Sequence, residues 1–509
     1  MTTEITARVL ESPVLRRGIG GAAVAVAWIA GLFAAGPLVG EFGIVVIAEA
    51  IIIRSPGWLS TLAIGLLGFY ATPVLVAGVV AGIVAATAAT AVVWPLRSAP
   101  VTQVAVASVL STVPLLVVSG VEVSDRFIAA VAVAAIPPSV VTHGCVTGFP
   151  TADSQRSERR QFLGRIAGIG VGCAAVLVSL RALFGRSPDG QESPRVREQL
   201  SGSVSRPAGD PAFDIDGMPD AVTTPEAHYV VDINVNPPVV DPETWTLDID
   251  GAVERSYSLG YDELLEHDER VEQTTTMICI SNEVGGDLIG TGHWSGVQLS
   301  DLVAAANPTD EAVDVVTYAA DGYSEAIPID LVEREDILVA YGMGERTLAT
   351  EHGFPARLLI PGRYGMKMTK WIDRIEVATE SHEAHWEGRG WDEEAVVNTM
   401  SYVRGAERSG DRVTVGGVAF GGLETGVVEI DAVEVSIDDG ETWTEAELEK
   451  PLAPHAWRRW RYEFDAPHRR EFPVVVRAIR RDGTVQTGSE TSPRPSGATG
   501  WHRTTIRPE

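Results

Sequence analysis

The first 186 residues constrain the fold of this chain most, because they contain several apolar stretches long enough to cross a lipid bilayer. A transmembrane helix needs roughly 20 apolar residues to cover about 30 Å of hydrocarbon. The sequence therefore predicts N-terminal transmembrane α-helices over 1–186, about five spans in contact with membrane lipid. We place the spans near 19–40, 74–94, 101–119, 125–142 and 163–184, whereas 44–53 and 58–70 are shorter and fit re-entrant or interfacial pieces.

Positive charges in the short loops set the expected orientation. Arg16 and Arg17 precede the first span, Arg97 follows the second, and an arginine-rich loop precedes the last. Cytoplasmic loops carry an excess of Lys and Arg, so the N-terminus is expected in the cytoplasm and the chain after 186 outside. The prediction is a multi-pass protein of the cell membrane with its C-terminal part on the extracytoplasmic side.

The loop before the last span reads Ser-Glu-Arg-Arg-Gln-Phe-Leu-Gly over 157–164. The stretch 159–163 resembles a twin-arginine export signal, which moves folded proteins that already hold their cofactor. An ordinary positive-inside cluster explains the same charges. Either interpretation exports the C-terminal part.

Few side chains in the apolar region are able to hold a metal. Apart from Met1, residues 1–186 contain His143 and no methionine, whereas a haem within a helix bundle needs two facing ligands. The three cysteines, Cys145, Cys173 and Cys279, are too few for a four-cysteine iron–sulfur or zinc site. No haem is predicted in this chain, and the membrane part is expected to act as an anchor.

Charge separates the two parts of the chain. Residues 1–186 carry 8 acidic and 12 basic residues, so 187–509 carries the remaining 60 acidic and 28 basic ones, a net charge of −32. Such a surface repels phosphate, and nucleic acid is not expected as a partner. The acidic composition, with three lysines in the whole chain, is typical of a halophilic protein, because salt screens repulsion among carboxylates.

The pattern changes again after the membrane part. Residues 187–226 are rich in Pro, Gly, Ser and charge, which predicts a solvated linker. Residues 227–404 mix strand patterns such as 245–250 with helix signals such as 300–306, where Ser300 is the expected N-cap. This mixture predicts an α+β domain.

From 405 to 509 the sequence shows strand patterns alone. Val433, Val435 and Ile437 alternate with polar residues, and Asp-Gly at 439–440 supplies a turn before a returning strand. Short strands joined by glycine-containing turns over about 100 residues are typical of an immunoglobulin-like sandwich. The fold class is therefore multi-domain, with an all-β sandwich at the C-terminus.

Cys279 ends an apolar strand and opens the loop Cys-Ile-Ser-Asn-Glu-Val-Gly-Gly-Asp at 279–287. A thiolate is a soft donor suited to a transition metal, and a strand end beside a glycine loop is able to hold it against a bulky cofactor. By chemistry alone, a lone cysteine on an apolar strand is more often a small core residue.

Three segments in the same order resemble the sulfite-oxidase family of molybdopterin enzymes. They are Cys-x-Ser-Asn-Glu-x-Gly-Gly-Asp at 279–287, His-Gly-Phe-Pro-x-Arg at 352–357 with Lys-Trp at 370–371, and Gly-Ala-Thr-Gly-Trp-His at 497–502. The resemblance implies a molybdopterin-binding domain at 227–404 and a molybdenum–molybdopterin cofactor. In this family the sandwich often pairs subunits, so 405–509 is expected to be a dimerisation-type domain and the protein a homodimer.

The resemblance also assigns site residues. Cys279 becomes the protein ligand to molybdenum and, with Trp391, a catalytic candidate. The expected cofactor-binding residues are Cys279, Asn234, Asp321, His352, Arg357, Met368, Thr369 and Lys370.

A charge argument made from the residues agrees with this assignment. Arg357, Arg363, Lys367 and Lys370 place four cations within 14 residues of a strongly acidic region. Guanidinium and ammonium groups make charge-assisted hydrogen bonds to phosphate, so the cluster suits an anionic ligand. Ion pairing with the abundant carboxylates is the alternative.

The substrate side departs from the family. By the same resemblance, Asp232 and Val284 stand where animal sulfite oxidases have arginines near the oxyanion, and Trp391 stands where they have a tyrosine. A site without these cations binds the sulfite dianion less well, because a desolvated anion needs paired charge.

The sequence thus predicts a membrane-anchored molybdopterin-dependent oxidoreductase of the sulfite-oxidase type, which transfers oxygen to or from a small sulfur or nitrogen compound. Electrons are expected to pass to or from an external carrier, namely a cytochrome, a copper protein or a quinone. One alternative is an S- or N-oxide reductase fed by the quinone pool. Another, from a different class, is a non-enzymatic surface binding protein in which Cys279 is merely buried.

Overall fold

The computed structural model describes residues 207–232, 234, 237–334, 336–423, 426–466 and 471–507, together with Gly78 and Ala81. The predicted transmembrane spans and the arginine motif at 159–163 lie outside these residues. Within the described part, no helix is both long and apolar enough to span a bilayer. The chain divides into two units, Met1–Asp189 with Ile233–Asn236, and Gly190–Asp232 with Pro237–Glu509.

The helices and strands described below belong to the second unit. Its described helices are α1 (Tyr261–Leu265), α2 (Leu299–Ala306) and α3 (Ile329–Arg334), with short 3-10 turns at Pro211–Phe213, Thr350–His352, Gly365–Lys367 and Glu387–Arg389. The described strands before residue 400 are β1 (Thr246–Gly251), β2 (Tyr257–Gly260), β3 (Arg270–Ile278), β4 (Ile289–Gln298), β5 (Asp314–Ala319), β6 (Ser324–Pro328), β7 (Leu338–Met343), β8 (Arg346–Thr347), β9 (Arg357–Leu359) and β10 (Ile372–Ala378). Those that follow are β11 (Met400–Ser409), β12 (Arg412–Phe420), β13 (Gly422–Leu423), β14 (Gly426–Val427), β15 (Ile430–Ser436), β16 (Thr444–Glu445), β17 (Glu447–Leu448), β18 (Arg458–Asp465), β19 (Phe472–Arg480) and β20 (His502–Ile506).

The first sheet contains the strand predicted at 245–250. Leu247 and Ile249 of β1 are fully buried and alternate with the half-buried Asp248 and Asp250, as a strand with one core face requires. The described strands run in the order β2-β1-β10-β5-β6, with β1 and β10 parallel. The buried face packs with α1 and α2 in one core.

The second sheet orders its described strands β3-β4-β7-β8, and β9 pairs with β7. Helices and sheets in one domain confirm the α+β prediction. The N-cap of α2 is Gln298, not Ser300, which lies inside the first turn. The prediction was wrong because β4 runs directly into α2 and leaves no loop residue to cap it.

The C-terminal part is a sandwich, as predicted. Its described sheets are β11-β12-β18-β17 and β16-β15-β19-β20, and Val433 and Val435 point into the shared core while Ile437 packs at its edge. The sandwich begins at Met400, where β11 starts, and not at 405.

The linker prediction fails for its described half. Phe213, Ile215, Ala221 and Val222 are buried, and the Asp214 carboxylate binds the buried Arg459 of β18 at 2.8 Å. The indole of Trp457 donates to the Ala221 carbonyl at 3.0 Å. Composition indicated a solvated tether because polar residues outnumber the few apolar anchors that fasten the segment.

A third apolar cluster joins the α+β domain to the sandwich. We call it the interdomain cluster. Its buried members are Ile278, Ile280, Ile289, Tyr364, Met366, Ala395, Val397, Met400, Tyr402, Val418, Phe420 and Trp457.

Candidate active site

Cys279 lies where β3 leaves its sheet. Its amide donates to the Leu288 carbonyl at 3.0 Å, which closes the base of the loop 279–287, the cysteine loop. Inside the loop, the Asn282 side chain accepts from the Leu288 amide at 2.9 Å. Gly285 adopts a φ of +79°, which favours glycine. The strand end and glycine loop predicted for the thiol are confirmed.

The thiol is free, and its residue is 8% exposed. Burial raises the pKa of Cys279, although the Ser281 backbone and hydroxyl donors lower it in part. The Tyr229 hydroxyl interacts electrostatically with both Cys279 and Arg357, and the Tyr364 hydroxyl also interacts with Cys279. Two phenol hydroxyls therefore interact with the thiol in addition to the Ser281 donors.

Arg357 is a buried cation without a carboxylate within ion-pair distance among the described residues. Its Nη1 donates to the His352 carbonyl at 3.0 Å, and its guanidinium lies 5.5 Å from the centroid of the Trp294 ring. The Nε donor has no hydrogen-bond partner in the described structure. Burial lowers its pKa to about 10, so the group remains charged at neutral pH. A buried guanidinium with a free donor fits an anionic ligand.

Two histidines lie beside Arg357. The His352 Nε2 lies 2.9 Å from the Pro225 carbonyl, to which it donates, and burial lowers the pKa of this ring. His228 stands 5.8 Å from His352, ring to ring, and burial lowers its pKa to about 3. Sequence reasoning identified His352 but missed His228 and Tyr229, whose signal was a His-Tyr pair at the start of the α+β domain.

The residues predicted at 368–370 are held by the protein itself. The Lys370 Nζ lies 3.0 Å from Asp232 Oδ2 and also donates to the carbonyls of Val231 and Glu351. The Thr369 hydroxyl bonds to that of Thr317 at 2.7 Å. The Met368 side chain packs in an apolar cluster with Met277 and Trp294. Cofactor binding by these three stays a prediction.

Only part of the four-cation cluster is available to bind an anion. Lys367 lies 2.6 Å from Glu325 and 2.8 Å from Glu387, and Lys370 pairs with Asp232. Arg363 donates to the Leu423 carbonyl at 2.6 Å. Ion pairing, the alternative explanation, applies to both lysines, whereas Arg357 keeps the free donor that an anion needs.

Trp391 packs against the interdomain cluster, and a catalytic role for it stays a prediction. Its half-buried ring meets that of Trp386 at 5.8 Å and 70°. Both tryptophans and Val284 pack against the interdomain cluster, whose Ile278 and Ile280 flank Cys279. The wall on this side of the cysteine loop is therefore aromatic and apolar.

Asp321 and Asn234 were also predicted to bind the cofactor. Asp321 lies between β5 and β6, where its carboxylate accepts from the Tyr323 amide at 3.0 Å and shapes the turn. Asn234 is half-buried and belongs to the segment assigned to the first unit. A cofactor role for either residue stays a prediction.

The sandwich clamps the cysteine loop. Arg404 of β11 donates to the Gly285 carbonyl at 3.1 Å, to the Gly286 carbonyl at 2.6 Å and to Asp287 at 2.9 Å. A Cβ at Gly285 would overlap the His502 ring, which shows how closely the C-terminal Trp-His segment packs on the loop. Sequence reasoning missed Arg404, because no local pattern marks a contact across about 120 residues of chain.

Comparisons with known proteins agree with this geometry. Residues 234–386 match the family model described as oxidoreductase molybdopterin binding domain, and 394–509 match the Mo-co oxidoreductase dimerisation domain. The chain belongs to the sulfite oxidase-type molybdopterin oxidoreductase family. It is therefore an enzyme, and its cofactor is molybdenum–molybdopterin.

Individual relatives of this oxidoreductase cover only part of it. Mitochondrial sulfite oxidase of Mus musculus is 28% identical over 329 residues, which cover 54% of this chain and 60% of the relative. Nitrate reductase [NAD(P)H] of Hordeum vulgare is 26% identical over 297 residues, 47% of this chain and 33% of the relative. The crystal structure of the sulfane dehydrogenase SoxCD from Paracoccus pantotrophus shares the fold, with a TM-score of 0.50 at 20% identity over 63% of this chain and 92% of that one.

The described residues fit the molybdenum–molybdopterin cofactor. No three His, Cys, Asp or Glu side chains in the described part lie close enough together to hold a metal ion by themselves. A metal at Cys279 would need ligands besides these side chains, and a pterin dithiolene would supply soft donors that match the thiolate. Cys279 supplies the one thiol of the described part, and Arg357 supplies a buried donor for the anionic part.

Proposed function

We propose that this oxidoreductase transfers an oxygen atom to or from a small sulfur or nitrogen compound and passes electrons to or from an external carrier. The observation that carries the proposal is a free thiol at a strand end and a buried guanidinium that has no carboxylate within ion-pair distance in the described part, both interacting electrostatically with the Tyr229 hydroxyl. When bound, the cofactor supplies the two-electron oxygen-atom transfer chemistry.

The chain's own residues have separate roles in this proposal. Cys279 would hold the metal as a thiolate, since a coordinated thiol is deprotonated. Arg357 and His352 orient the anionic pterin through charge-assisted and neutral hydrogen bonds. Trp386 and Trp391 exclude water from the side on which substrate approaches.

The substrate proposal follows from charge. The mitochondrial relatives carry the name sulfite oxidase, yet Val284 is apolar here and Asp232 is acidic and paired with Lys370. Val284 and Asp232 bring no cation to the two positions where the resemblance places arginines, which favours a neutral or apolar sulfur or nitrogen compound over sulfite. An S- or N-oxide reductase fed by quinone uses the same site in the reverse direction.

The surroundings of the enzyme are also part of the proposal. The apolar stretches of 1–186 support a multi-pass membrane anchor in contact with lipid, with the catalytic domain outside the cytoplasm. A cytochrome, a copper protein or a quinone then exchanges single electrons with the site. Residues 394–509 match a dimerisation domain, which supports a homodimer. The surface binding protein is not retained, because the family is one of enzymes.

The deciding experiment is metal and pterin analysis of the purified full chain beside its Cys279→Ser variant, followed by turnover assays. We expect about one molybdenum per chain in the wild type and no oxygen transfer by the variant. The serine oxygen is a harder metal donor than sulfur, and its hydroxyl is a far weaker acid than the thiol. Assays with sulfite, thiosulfate, a sulfoxide and an amine N-oxide then rank the substrates. A metal-free wild type, or sulfite turnover far above all the others, contradicts the proposal.

A further inference from the structure

Glu325, Lys367 and Glu387 form a buried ion triad next to the interdomain cluster. Lys367 Nζ lies 2.6 Å from Glu325 Oε1 and 2.8 Å from Glu387 Oε1. The three side chains are 6%, 0% and 10% exposed, respectively. Two carboxylates share one ammonium, so the ionised triad keeps one uncompensated negative charge inside the protein. A single proton neutralises it.

The triad is attached to the wall of the active site. Lys367 ends the 3-10 turn Gly365–Lys367, and a Cβ at Gly365 would lie 3.6 Å from the Ile278 carbonyl and 3.2 Å from the Tyr229 hydroxyl. Met366 of this turn belongs to the interdomain cluster together with Ile278. On the other side, Trp386 precedes Glu387 and packs against the same cluster.

Tyr323 connects the triad to this turn. Its hydroxyl lies 2.6 Å from the Met366 carbonyl and 3.2 Å from Glu325 Oε2. The Ala326 amide donates to Glu325 Oε1 and the Ala384 amide to Glu387 Oε2, both at 3.0 Å. Glu325 Oε2 is therefore the oxygen of this carboxylate not bonded to Lys367. The charged or titratable groups that face the triad and the Tyr323 ring are Asp321, His385 and Asp392.

The groups closer to Cys279 are poor proton acceptors at neutral pH. Burial raises the pKa of Tyr364 to about 12 and that of Tyr229 well above its ordinary value, so both keep their protons. Burial lowers the pKa of His228 to about 3, so this ring stays neutral. Burial raises the pKa of Glu325 to about 7, which suits proton exchange near neutrality.

Oxygen transfer to a substrate X releases protons, since X + H2O gives XO + 2 H⁺ + 2 e⁻. Resting on the proposed function, we propose that the Glu325–Lys367–Glu387 triad accepts one of these two protons at Glu325 Oε2. Both O–H bonds of water break, the second proton passes to solvent, and the electron pair leaves singly to the external carrier. The stored proton returns to solvent on the side of Glu387, the more exposed carboxylate of the pair.

Two measurements on the full chain test this role. The first follows the carboxylic acid C=O stretch by infrared spectroscopy between about pH 5 and about pH 9, with or without bound cofactor. We expect a buried carboxyl that titrates near neutrality in the wild type and is lost in Glu325→Gln. In Glu387→Gln the same transition moves to lower pH, because a neighbouring negative charge has been removed. The control Glu376→Gln, which alters a half-exposed carboxylate paired with Arg374, leaves the transition in place.

The second measurement is the midpoint potential of the molybdenum centre against pH in the loaded enzyme. We expect the potential to fall as pH rises through the transition in the wild type and in Glu376→Gln, and to lose that slope in Glu325→Gln. An unchanged slope in Glu325→Gln, or the absence of a titrating buried carboxyl, overturns the proton role. A wild type without molybdenum overturns the proposed function instead, while the infrared titration still reports the state of the triad.

Discussion

Arg357 and Cys279 are chemically incomplete in the folded chain. Burying an ionised group without a partner costs several kcal/mol, about the size of a domain's whole stability margin. Arg357 is buried with an unused Nε donor, and Cys279 is a free buried thiol. A bound anion removes the first cost, and a metal uses the second group as a ligand.

Replacing Arg357 with glutamine should lower the affinity for the cofactor without destabilising the fold. Charge-assisted hydrogen bonds contribute about 1.5 to 3 kcal/mol, so we expect pterin affinity to fall about tenfold to a hundredfold. The variant's apoprotein should be at least as stable as the wild type, because a buried charge has gone. Pterin fluorescence and metal content per chain measure the first effect, and chemical unfolding of the apoprotein measures the second.

The control for this variant is Arg374→Gln, which removes a half-exposed arginine paired with Asp250 and Glu376 on the first sheet. Its pterin content should match the wild type. Full pterin content in Arg357→Gln would remove this residue from the site.

Glu325 makes stability depend on pH in a direction opposite to that of most paired carboxylates. Its pKa in the folded chain, about 7, exceeds the ordinary 4.5. The folded state therefore binds more protons than the unfolded state between these values, and the free energy of unfolding falls as pH rises from about 4.5 to about 7. The contribution is fully present below this window and is lost above it.

Chemical unfolding at a series of pH values measures this slope. We expect Glu325→Gln to flatten it and Glu376→Gln to leave it unchanged. The idea fails if the wild type and Glu325→Gln show parallel pH profiles across the window.

At the scale of elements, the cysteine loop is positioned by parts of the sandwich that are far away in sequence. Arg404 donates to the loop carbonyls, and the His502 ring packs against Gly285. The Tyr402 hydroxyl lies 3.5 Å from the Asn282 amide, which extends the same contact. The sandwich thus contributes to site geometry as well as forming a separate domain.

Gly285 and Gly322 have nearly equal φ angles, so alanine substitutions at the two positions distinguish the cost of backbone strain from the cost of disturbed packing. Gly285 has a φ of +79° and packs on His502, whereas Gly322 has a φ of +81° with open space around its missing Cβ. Gly322→Ala should cost about 1 kcal/mol from backbone strain alone. Gly285→Ala should cost more, on the order of 1 to 3 kcal/mol beyond that, because the His502 ring must move.

The midpoint of thermal unfolding compares the two variants, and molybdenum content shows whether the cysteine loop still holds the metal. Equal destabilisation by both substitutions would show that the His502 contact does not position the loop.

At the scale of the whole molecule, we expect a homodimer, since residues 394–509 match a dimerisation domain. Light scattering after size-exclusion chromatography of the full chain should give twice the mass of one chain, after correction for bound detergent. The mass should persist on dilution, because obligate interfaces bury large apolar areas. A single-chain mass at every concentration contradicts this expectation.

The membrane prediction is tested at the same scale. If the predicted apolar spans hold the protein in the bilayer, the full chain should sediment with membranes and resist extraction by high salt or carbonate. A chain lacking residues 1–186 serves as the control and should be released into the soluble fraction. A full chain that carbonate extracts is not anchored by transmembrane helices.

Local chemistry was readable from the sequence because it depends on near neighbours. The strand that ends at Cys279, the alternation at Val433 and Val435, and the change from mixed to all-β patterns depend on side-chain period and on glycine placement. The resemblance of three segments to the family led to the assignment of the cofactor. The packing of the described half of the predicted linker was not predicted, because four buried apolar residues among many polar ones leave no periodic signal.

The sequence by itself determined the change from mixed to all-β patterns, the thiol at Cys279 and the resemblance to a family, since these depend on residue types at short spacing. Tertiary structure alone decided which cations are available to a ligand. Lys367 and Lys370 lie next to carboxylates from distant parts of the chain, while Arg357 keeps an unpaired donor. The physical reason is that ion pairing depends on distance in space, and a charge pattern along the chain does not reveal which opposite charges folding brings within about 4 Å.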